Sequence, residues 1–205
     1  MNDGYQDVLR SIASSDPTPG GGSVAALCLA HAHSLATMVS RLTLKSDKWR
    51  NGHDFAKVII AASDEQISNA LDLADRDAAA FDSVMAAYRM PKDEGSITNR
   101  SDAISEATIG AAMVPLQTIK AALELLGTLH NLSKDCNMNA LTDLAASAEL
   151  AHSAAKIADM NVRINIDHIG GKDVVKIDKD REEFMELCNT TLVDVRASYE
   201  NRLGW

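Results

Sequence analysis

The sequence predicts an all-α protein, a single helical-bundle domain of five to seven helices over residues 1–205. Apolar residues make up 46% of the chain but aromatic residues only 4%, and alanine, the strongest helix former, makes up the difference. Apolar positions recur with helical spacing over long segments, at least two of them longer than about 20 residues. The one β-like run, residues 162–166, is too short to define a sheet and can equally extend the helix before it.

Each helix is expected from its periodicity and from Pro, Gly or capping residues at its ends. The segments expected to be helical are residues 5–13, 23–44, 51 or 54 to 88, 98–132, 139–161 (with or without the next five residues) and 179–203. Residues 91–97 and 170–178 are expected to be a loop and a turn or short linker. Pro115 is expected to kink or break its helix, because it lacks a backbone N–H.

Charge and cysteine content indicate the class of protein. The net charge is −9, which disfavours nucleic acid or anionic membranes as partners. The three cysteines, Cys28, Cys136 and Cys188, form no C-x-x-C pair and are expected to be reduced thiols. We expect no secretory leader and no window of about 18 uncharged apolar residues that would span a bilayer, hence a cytoplasmic protein.

The segment PTPGGGS, which opens the second helix, is a candidate binding turn. A helix start exposes unpaired N–H groups and the positive end of the helix dipole, which suit an anionic or carbonyl oxygen. Glycine has no Cβ, so its backbone can approach a ligand closely. The alternative is a flexible connection between two helices. The candidate binding residues are Pro19, Gly20, Gly21, Gly22 and Ser23.

The segment DAAAFDSVMAAYRMPK carries candidate acid–base groups. On a helix Asp77 shares one face with Phe81, Met85 and Tyr88, so its carboxylate flanks an apolar stripe. Partial burial raises the pKa of a carboxylate toward the value that acid–base catalysis requires. Asp82 lies further round the helix and suits an orienting or ion-paired role. The alternative is that Asp77 is a solvated residue at the edge of the apolar face.

Two polar residues end a stripe of small residues on the fifth expected helix. Asp143 and Asn161 share a face with Leu150 and Ala154 if that helix is unbroken. They can line a pocket, or they can bond to neighbouring backbone in the core, as buried polar groups usually do.

The histidines and the basic residues have weaker patterns. His31 and His33 point in nearly opposite directions on a helix and cannot chelate one ion, so we expect no metal, with one ring facing water and the other the interior. Lys48 and Arg50 belong to a basic cluster that follows the second helix. This cluster either compensates a helix dipole or binds a polycarboxylate tail.

The order of these motifs resembles that of the formiminotetrahydrofolate cyclodeaminase and methenyltetrahydrofolate cyclohydrolase family. The resemblance rests on SSDPTPGGGSVAAL, MVSRLTLKSDKW, DAAAFDSVMAAYRMPK, VPL and NMNALTD…MNVRINI, and it covers roughly residues 7–200. It implies the all-α fold of the C-terminal domain of formiminotransferase-cyclodeaminase, a homodimer, a tetrahydrofolate derivative as substrate, and no cofactor beyond that substrate.

The resemblance also implies roles for the candidate residues. Asp77, then Asp82 and Asp143, are the candidate acid–base groups, and Lys92 and Asn161 join the candidate substrate-binding residues. Cyclodeamination of 5-formiminotetrahydrofolate is the first expectation and hydrolysis of 5,10-methenyltetrahydrofolate the alternative. A folate-binding helical dimer without catalysis is a third hypothesis. In some relatives a formiminotransferase domain is fused to the cyclodeaminase, so a separate formiminotransferase is a candidate partner.

Overall fold

The expected helical segments fold as six α-helices in the computed structural model, which describes residues 4–92, 97–167 and 169–205. Within those ranges there is no strand, which confirms the all-α prediction. Two short 3₁₀ turns, Asp47–Gly52 and Met138–Ala140, precede the third and fifth helices. The helices are α1 Tyr5–Ile12, α2 Gly21–Leu44, α3 His53–Tyr88, α4 Ile97–Ser133, α5 Leu141–Ile166 and α6 Lys172–Leu203.

The core lies where α2, α4 and α5 pack together, with α3 against α2 and α4, and α6 against α4 and α5. The largest side chains that are fully buried come mainly from α4 and α5, including Leu126, Leu129 and Leu144. On α2 the core face is largely alanine, and Ala25 and Ala32 are completely inaccessible. These small side chains let α2 pass between its neighbours at close range.

Side-chain contacts show which helix ends meet. The start of α2 contacts the last third of α3, since Ser23 bonds to Ala74 and Asp77. The end of α5 contacts α4, where Asn165 donates to Ala111 O. These elements form one end of the bundle, here called the glycine end. The far end holds the end of α2, where the Asn137 backbone N–H donates to Thr43 Oγ1 at 3.0 Å.

The linker expected at 170–178 is wrong, and so is a break at Pro115, which was one of the two alternatives for that residue. Residues 172–178 are the first two turns of α6 and not a linker, because Ile177 is buried and helical spacing of apolar residues begins there. Gly171, with φ +123, makes the turn that precedes this helix. Pro115 lies inside α4, which continues to Ser133. Residues 162–166 extend α5, which was one of the two alternatives. Part of the loop expected at 91–97 lies outside the described residues.

Two helices have the length and composition of a membrane span, contrary to the expectation that no window qualifies. α2 and α4 each contain an 18-residue window with a mean hydropathy of 1.3. Of these windows, 61% and 56% respectively are buried within the bundle. Core helices meet the same criterion, and burial accounts for these apolar residues.

Candidate active site

Asp77 contacts the start of α2 from a neighbouring helix. The residue before α2, Gly20, has no side chain with which to cap it. The first N–H groups of a helix lack partners within the helix. Asp77, on α3, lies against that first turn, and the Ser23 hydroxyl lies 3.1 Å from Asp77 Oδ2. The hydroxyl lies equally close to Ala74 O, so two groups of α3 fix Ser23 in place.

Gly22 is the position that the carboxylate approaches most closely. A Cβ added at Gly22 would lie 2.6 Å from Asp77 Oδ2 and closer still to Oδ1. At Gly21 the same addition would meet Asn161 Nδ2 at 3.6 Å and Ile157 Cγ2 at 4.0 Å, both ordinary contacts. The missing side chain at position 22 therefore admits the carboxylate of this protein, whereas the sequence interpretation assigned that space to a ligand.

Burial raises the pKa of Asp77 above its ordinary value of 3.8, while the hydrogen bonds from the Ser23 hydroxyl and backbone N–H lower it. Burial is the largest of these causes, so the net shift is upward. A raised pKa makes this carboxyl group a better proton acceptor than an ordinary aspartate, which suits acid–base catalysis. The hydrogen bonds hold the carboxylate in one orientation.

The opposite wall of the cleft is made by two asparagines on α5. Asn161 Nδ2 donates to Ile157 O at 2.9 Å. Asn165 Nδ2 donates to both Asn161 O at 2.9 Å and Ala111 O at 3.0 Å. With both N–H groups of Asn165 so engaged, its side-chain oxygen is left to accept a hydrogen bond from a ligand.

Pro115 explains why Ala111 O is available to Asn165. In an α-helix the carbonyl of residue 111 accepts from the N–H of residue 115, and proline has no such N–H. The carbonyl that α4 leaves unpaired is the one to which Asn165 donates. An internal proline and a residue of the cleft wall are therefore linked through one backbone oxygen.

Together these elements enclose a cleft of ≈ 330 Å³ at the glycine end. Its polar groups are the Asp77 carboxylate, the two asparagine amides and the backbone of the glycine turn. Its apolar surface includes Phe81 on one side and Ile164 on the other. The lining residues are Pro17, Thr18, Gly20, Gly21, Gly22, Asp77, Phe81, Val84, Ala111, Asn161, Ile164 and Asn165.

Several candidate residues do not line the cleft, contrary to expectation. Asp82 is exposed, on the outer side of α3, and does not line the cleft. Ser23 is 1% exposed and contacts Asp77, so it supports the carboxylate and offers no surface for a substrate. Pro19 lies in the turn but does not line the cleft, whereas its neighbours Thr18 and Gly20 do.

Other candidates lie at the far end of the bundle. Asp143 is in the first turn of α5, 18 positions before Asn161, or roughly 27 Å along the helix. Lys48 and Arg50 follow the 24 residues of α2, about 36 Å from the glycine turn. Within one chain none of the three reaches Asp77. Lys92 is at the glycine end, in an adjoining cleft.

His31 and His33 lie in different environments, one exposed and one buried, as expected. His31 is exposed and bonds to Leu27 O, whereas His33 is 8% exposed. Burial lowers the pKa of His33 to about 4. The cysteines Cys28, Cys136 and Cys188 are free thiols, as expected.

Sequence reasoning missed Asn165, Ala111 and Ile164 as parts of the cleft. Asn165 was accessible from the sequence, because it follows Asn161 by one helical turn and shares its face. Ala111 and Ile164 carry no such signal. Their role depends on how α4 and α5 cross, which neither segment specifies by itself.

The fold and the cleft define an all-helical enzyme with one partly desolvated carboxylate at a helix N-terminus. A family model described as formiminotransferase-cyclodeaminase matches residues 4–189. The chain belongs to the formiminotransferase-cyclodeaminase family, which confirms the resemblance seen in its motifs.

Individual relatives agree with this assignment. The chain is 30% identical over 165 residues to the methenyltetrahydrofolate cyclohydrolase of Methylorubrum extorquens, covering 80% of this chain and 79% of that protein. It is 28% identical over 159 residues to the formimidoyltransferase-cyclodeaminase of Rattus norvegicus, covering 77% of this chain and 29% of the rat protein. The crystal structure of formiminotetrahydrofolate cyclodeaminase from Thermotoga maritima matches with a TM-score of 0.87 at 28% identity, covering 98% and 96% of the two chains.

Proposed function

We propose that this chain acts on the one-carbon unit bound to tetrahydrofolate, with cyclodeamination of 5-formiminotetrahydrofolate as its reaction. The observation that carries the proposal is Asp77, a carboxylate with a raised pKa that Ser23 orients at the edge of the cleft. The similarity to a formiminotetrahydrofolate cyclodeaminase over 98% of the chain supports it.

Asp77 would move one proton twice in this reaction. N10 of the folate attacks the formimino carbon, and a tetrahedral carbon forms between N5 and N10. Asp77 accepts the proton that N10 loses and then donates a proton to the departing nitrogen, which leaves as ammonia. The C–N bond to ammonia breaks as the N5–C bond gains double-bond character, giving the 5,10-methenyl cation. No cofactor is needed, because the steps are proton transfers and nitrogen exchange.

The ionised carboxylate would also stabilise the positive charge on the one-carbon unit. A negative group in a partly dehydrated cleft interacts more strongly with a cation than it does in water. The Asn165 oxygen, held on the opposite wall, would accept from the N–H groups of the folate ring. The apolar surface of Phe81 and Ile164 suits the flat faces of the ligand.

Hydrolysis of 5,10-methenyltetrahydrofolate is the second candidate, and a specific observation favours it. The relative named as a methenyltetrahydrofolate cyclohydrolase is 30% identical and has nearly the same extent as this chain. In that reaction water attacks the methenyl carbon and gives its proton to Asp77. N5 then leaves with a proton, and the product is 10-formyltetrahydrofolate. Both reactions pass through a tetrahedral carbon between N5 and N10, so one carboxylate serves either.

Absorbance of the methenyl compound separates these candidates. Cyclodeamination predicts that the absorbance appears from 5-formiminotetrahydrofolate with release of ammonia. Cyclohydrolase activity predicts that it decays faster than in buffer. Asp82→Asn should retain the activity that Asp77→Asn loses, because Asp82 lies outside the cleft. If neither substrate is turned over but folate still binds, a non-catalytic folate-binding dimer replaces both proposals.

We also propose that the protein is a homodimer. Several apolar side chains are exposed on and near α1, among them Val8, Leu9 and Leu71. The 36 residues of α3 extend about 54 Å, long for a chain of this size. Light scattering should give about twice the chain mass of 22.0 kDa. A mass of one chain at micromolar concentration would contradict this.

A further inference from the structure

A second cleft adjoins the one that contains Asp77. It has a volume of ≈ 540 Å³ and lies between the start of α4 and the segment that follows α5. Its polar residues are Lys92, Arg100, Ser101 and Ser105, and its apolar surface includes Ile97 and Ile169. None of its described lining residues is acidic. In a protein of net charge −9, this combination suits an anion with an apolar portion.

Helix geometry places the two clefts side by side at the glycine end. Ala111 lines the Asp77 cleft and Ser105 lines the second, six residues or about 9 Å apart on α4. On the other wall Asn165 belongs to the first cleft and Ile169, just beyond α5, to the second. A ligand whose reacting atoms lie at Asp77 can therefore extend along α4 toward Arg100.

Arg100 is held in place but still has donors to offer. Its Nη2 donates to Tyr88 O at 3.0 Å, and its guanidinium lies 5.8 Å from the centre of the Tyr88 ring. Its Nε is buried with no partner among the described residues. A guanidinium carries five N–H donors in a planar fork that matches a carboxylate. The contacts with Tyr88 restrict the side chain and leave most of this fork unused.

One of the two sequence interpretations of the basic cluster that contains Lys48 and Arg50 is that it binds a polycarboxylate tail, the other being compensation of a helix dipole. That cluster follows α2 at the far end of the bundle, about 36 Å from the glycine turn. Arg50 is paired with Asp47 at 3.3 Å. Within one chain a single folate cannot contact both Asp77 and this cluster. The second cleft has the cationic residues Lys92 and Arg100 at the glycine end of the bundle, where Asp77 also lies.

We infer that the Lys92–Arg100 cleft binds the glutamate carboxylates of the folate whose one-carbon unit lies at Asp77. This inference rests on the proposed function and assigns the two clefts to the two ends of one substrate. Arg100 is the principal contact, because it is half-buried and braced by Tyr88, and Lys92 is an exposed, weaker one. The p-aminobenzoyl group between the two ends lies along α4.

Ligands with and without the glutamate test this assignment. Dissociation constants for tetrahydrofolate and tetrahydropteroate, which lacks the glutamate, are measured by anaerobic calorimetry. Wild-type protein should bind tetrahydrofolate more tightly. Arg100→Ala should weaken tetrahydrofolate about tenfold or more, the scale of a hydrogen bond to a charged group, and leave tetrahydropteroate unchanged. Arg100→Lys should restore part of the loss, and Lys92→Ala should have a smaller effect in the same direction.

Arg50→Ala is the matched control, since it removes a cation at the far end and should alter neither constant. The inference is overturned if Arg100→Ala weakens both ligands equally, because the residue would then act only through Tyr88. It is also overturned if Arg50→Ala shows the selective loss, or if wild-type protein binds both ligands equally. In these cases the proposed reaction stands. If wild-type protein binds neither ligand, both the inference and the proposed function fail.

Discussion

Gly22 and Asp77 are in contact because position 22 has no side chain. A Cβ added there would lie 2.6 Å from Asp77 Oδ2, less than any ordinary van der Waals contact. The carboxylate occupies the space next to the first turn of α2 and bonds to Ser23. The missing side chain at Gly22 therefore lets an acid from α3 lie against the first turn of α2.

Gly22→Ala should therefore displace the Asp77 carboxylate and lower kcat by about 10²-fold, the usual scale of an acid–base contribution. Gly21→Ala is the comparison variant: its Cβ would meet Asn161 Nδ2 at 3.6 Å in the cleft wall, so it can raise KM, but it leaves the Asp77 carboxylate in place and should not lower kcat to the same extent. Turnover of both variants is measured beside their circular dichroism. Equal losses in the two variants would mean that the turn is merely sensitive to added bulk.

The contact between Gly22 and Asp77 also shows which parts of the fold and site could be predicted from the sequence. Composition and periodicity predicted the all-α fold, and the apolar face around Asp77 singled out that carboxylate. They could not show that Gly22 faces Asp77, because the two are 55 positions apart and the contact exists only once α2 packs on α3. The sequence alone also does not show how far Asp143, Lys48 and Arg50 lie from Asp77. Helix length along the bundle separates them from it.

Asp77→Asn should lower kcat by about 10²-fold or more and change KM much less, because an amide keeps the shape of the side chain but cannot transfer a proton. Burial raises the pKa of Asp77, so the acidic limb of the kcat/KM profile should lie above the ordinary range of a carboxylate. That limb should vanish in the variant. A variant that retains more than about a tenth of wild-type kcat would exclude Asp77 as the acid–base group.

The same substitution should stabilise the protein at neutral pH. The pKa of Asp77 is raised in the folded state, so ionisation costs folded-state stability as the pH rises through that pKa. Asn carries no charge and can still accept the hydrogen bond from Ser23. The melting temperature of Asp77→Asn should exceed that of wild type at pH 7, and the difference should shrink below pH 3.8, the ordinary value for this group. A variant that is less stable at neutral pH would show that the ionised carboxylate is a net stabilising cap.

His33 should make the protein sensitive to mild acid. Burial lowers its pKa from 6.5 to about 4, so the unfolded chain binds a proton in this range that the folded chain does not. Stability is therefore full above about pH 6.5 and falls as the pH drops toward about 4, by up to about 3 kcal/mol. Glu124 borders the same small cavity as His33, so its carboxylate must be separated from the effect of the imidazole. Urea midpoints of His33→Gln and of Glu124→Gln are therefore each compared with those of wild type across this pH range.

The difference between wild type and His33→Gln isolates this effect from the carboxylates that also titrate in acid. The variant should lose less stability between pH 6.5 and 4, and His31→Gln, at an exposed position, should behave as wild type does. Parallel stability curves for wild type and His33→Gln would contradict the assignment.

Pro115→Ala should weaken substrate binding although it removes a proline from a helix. Alanine supplies the missing N–H, which donates to Ala111 O and competes with Asn165 for that oxygen. Helix propensity favours the variant by up to about 3 kcal/mol, offset by the packing that the buried ring loses. Asn165 then keeps only Asn161 O as an acceptor, so its amide is less well oriented and KM should rise severalfold with a smaller change in kcat.

If Pro115 acts through Asn165, Asn165→Ala should produce a similar rise in KM, and the double variant should be no worse than Asn165→Ala alone. Additive effects on KM would mean that Pro115 influences the cleft by another route.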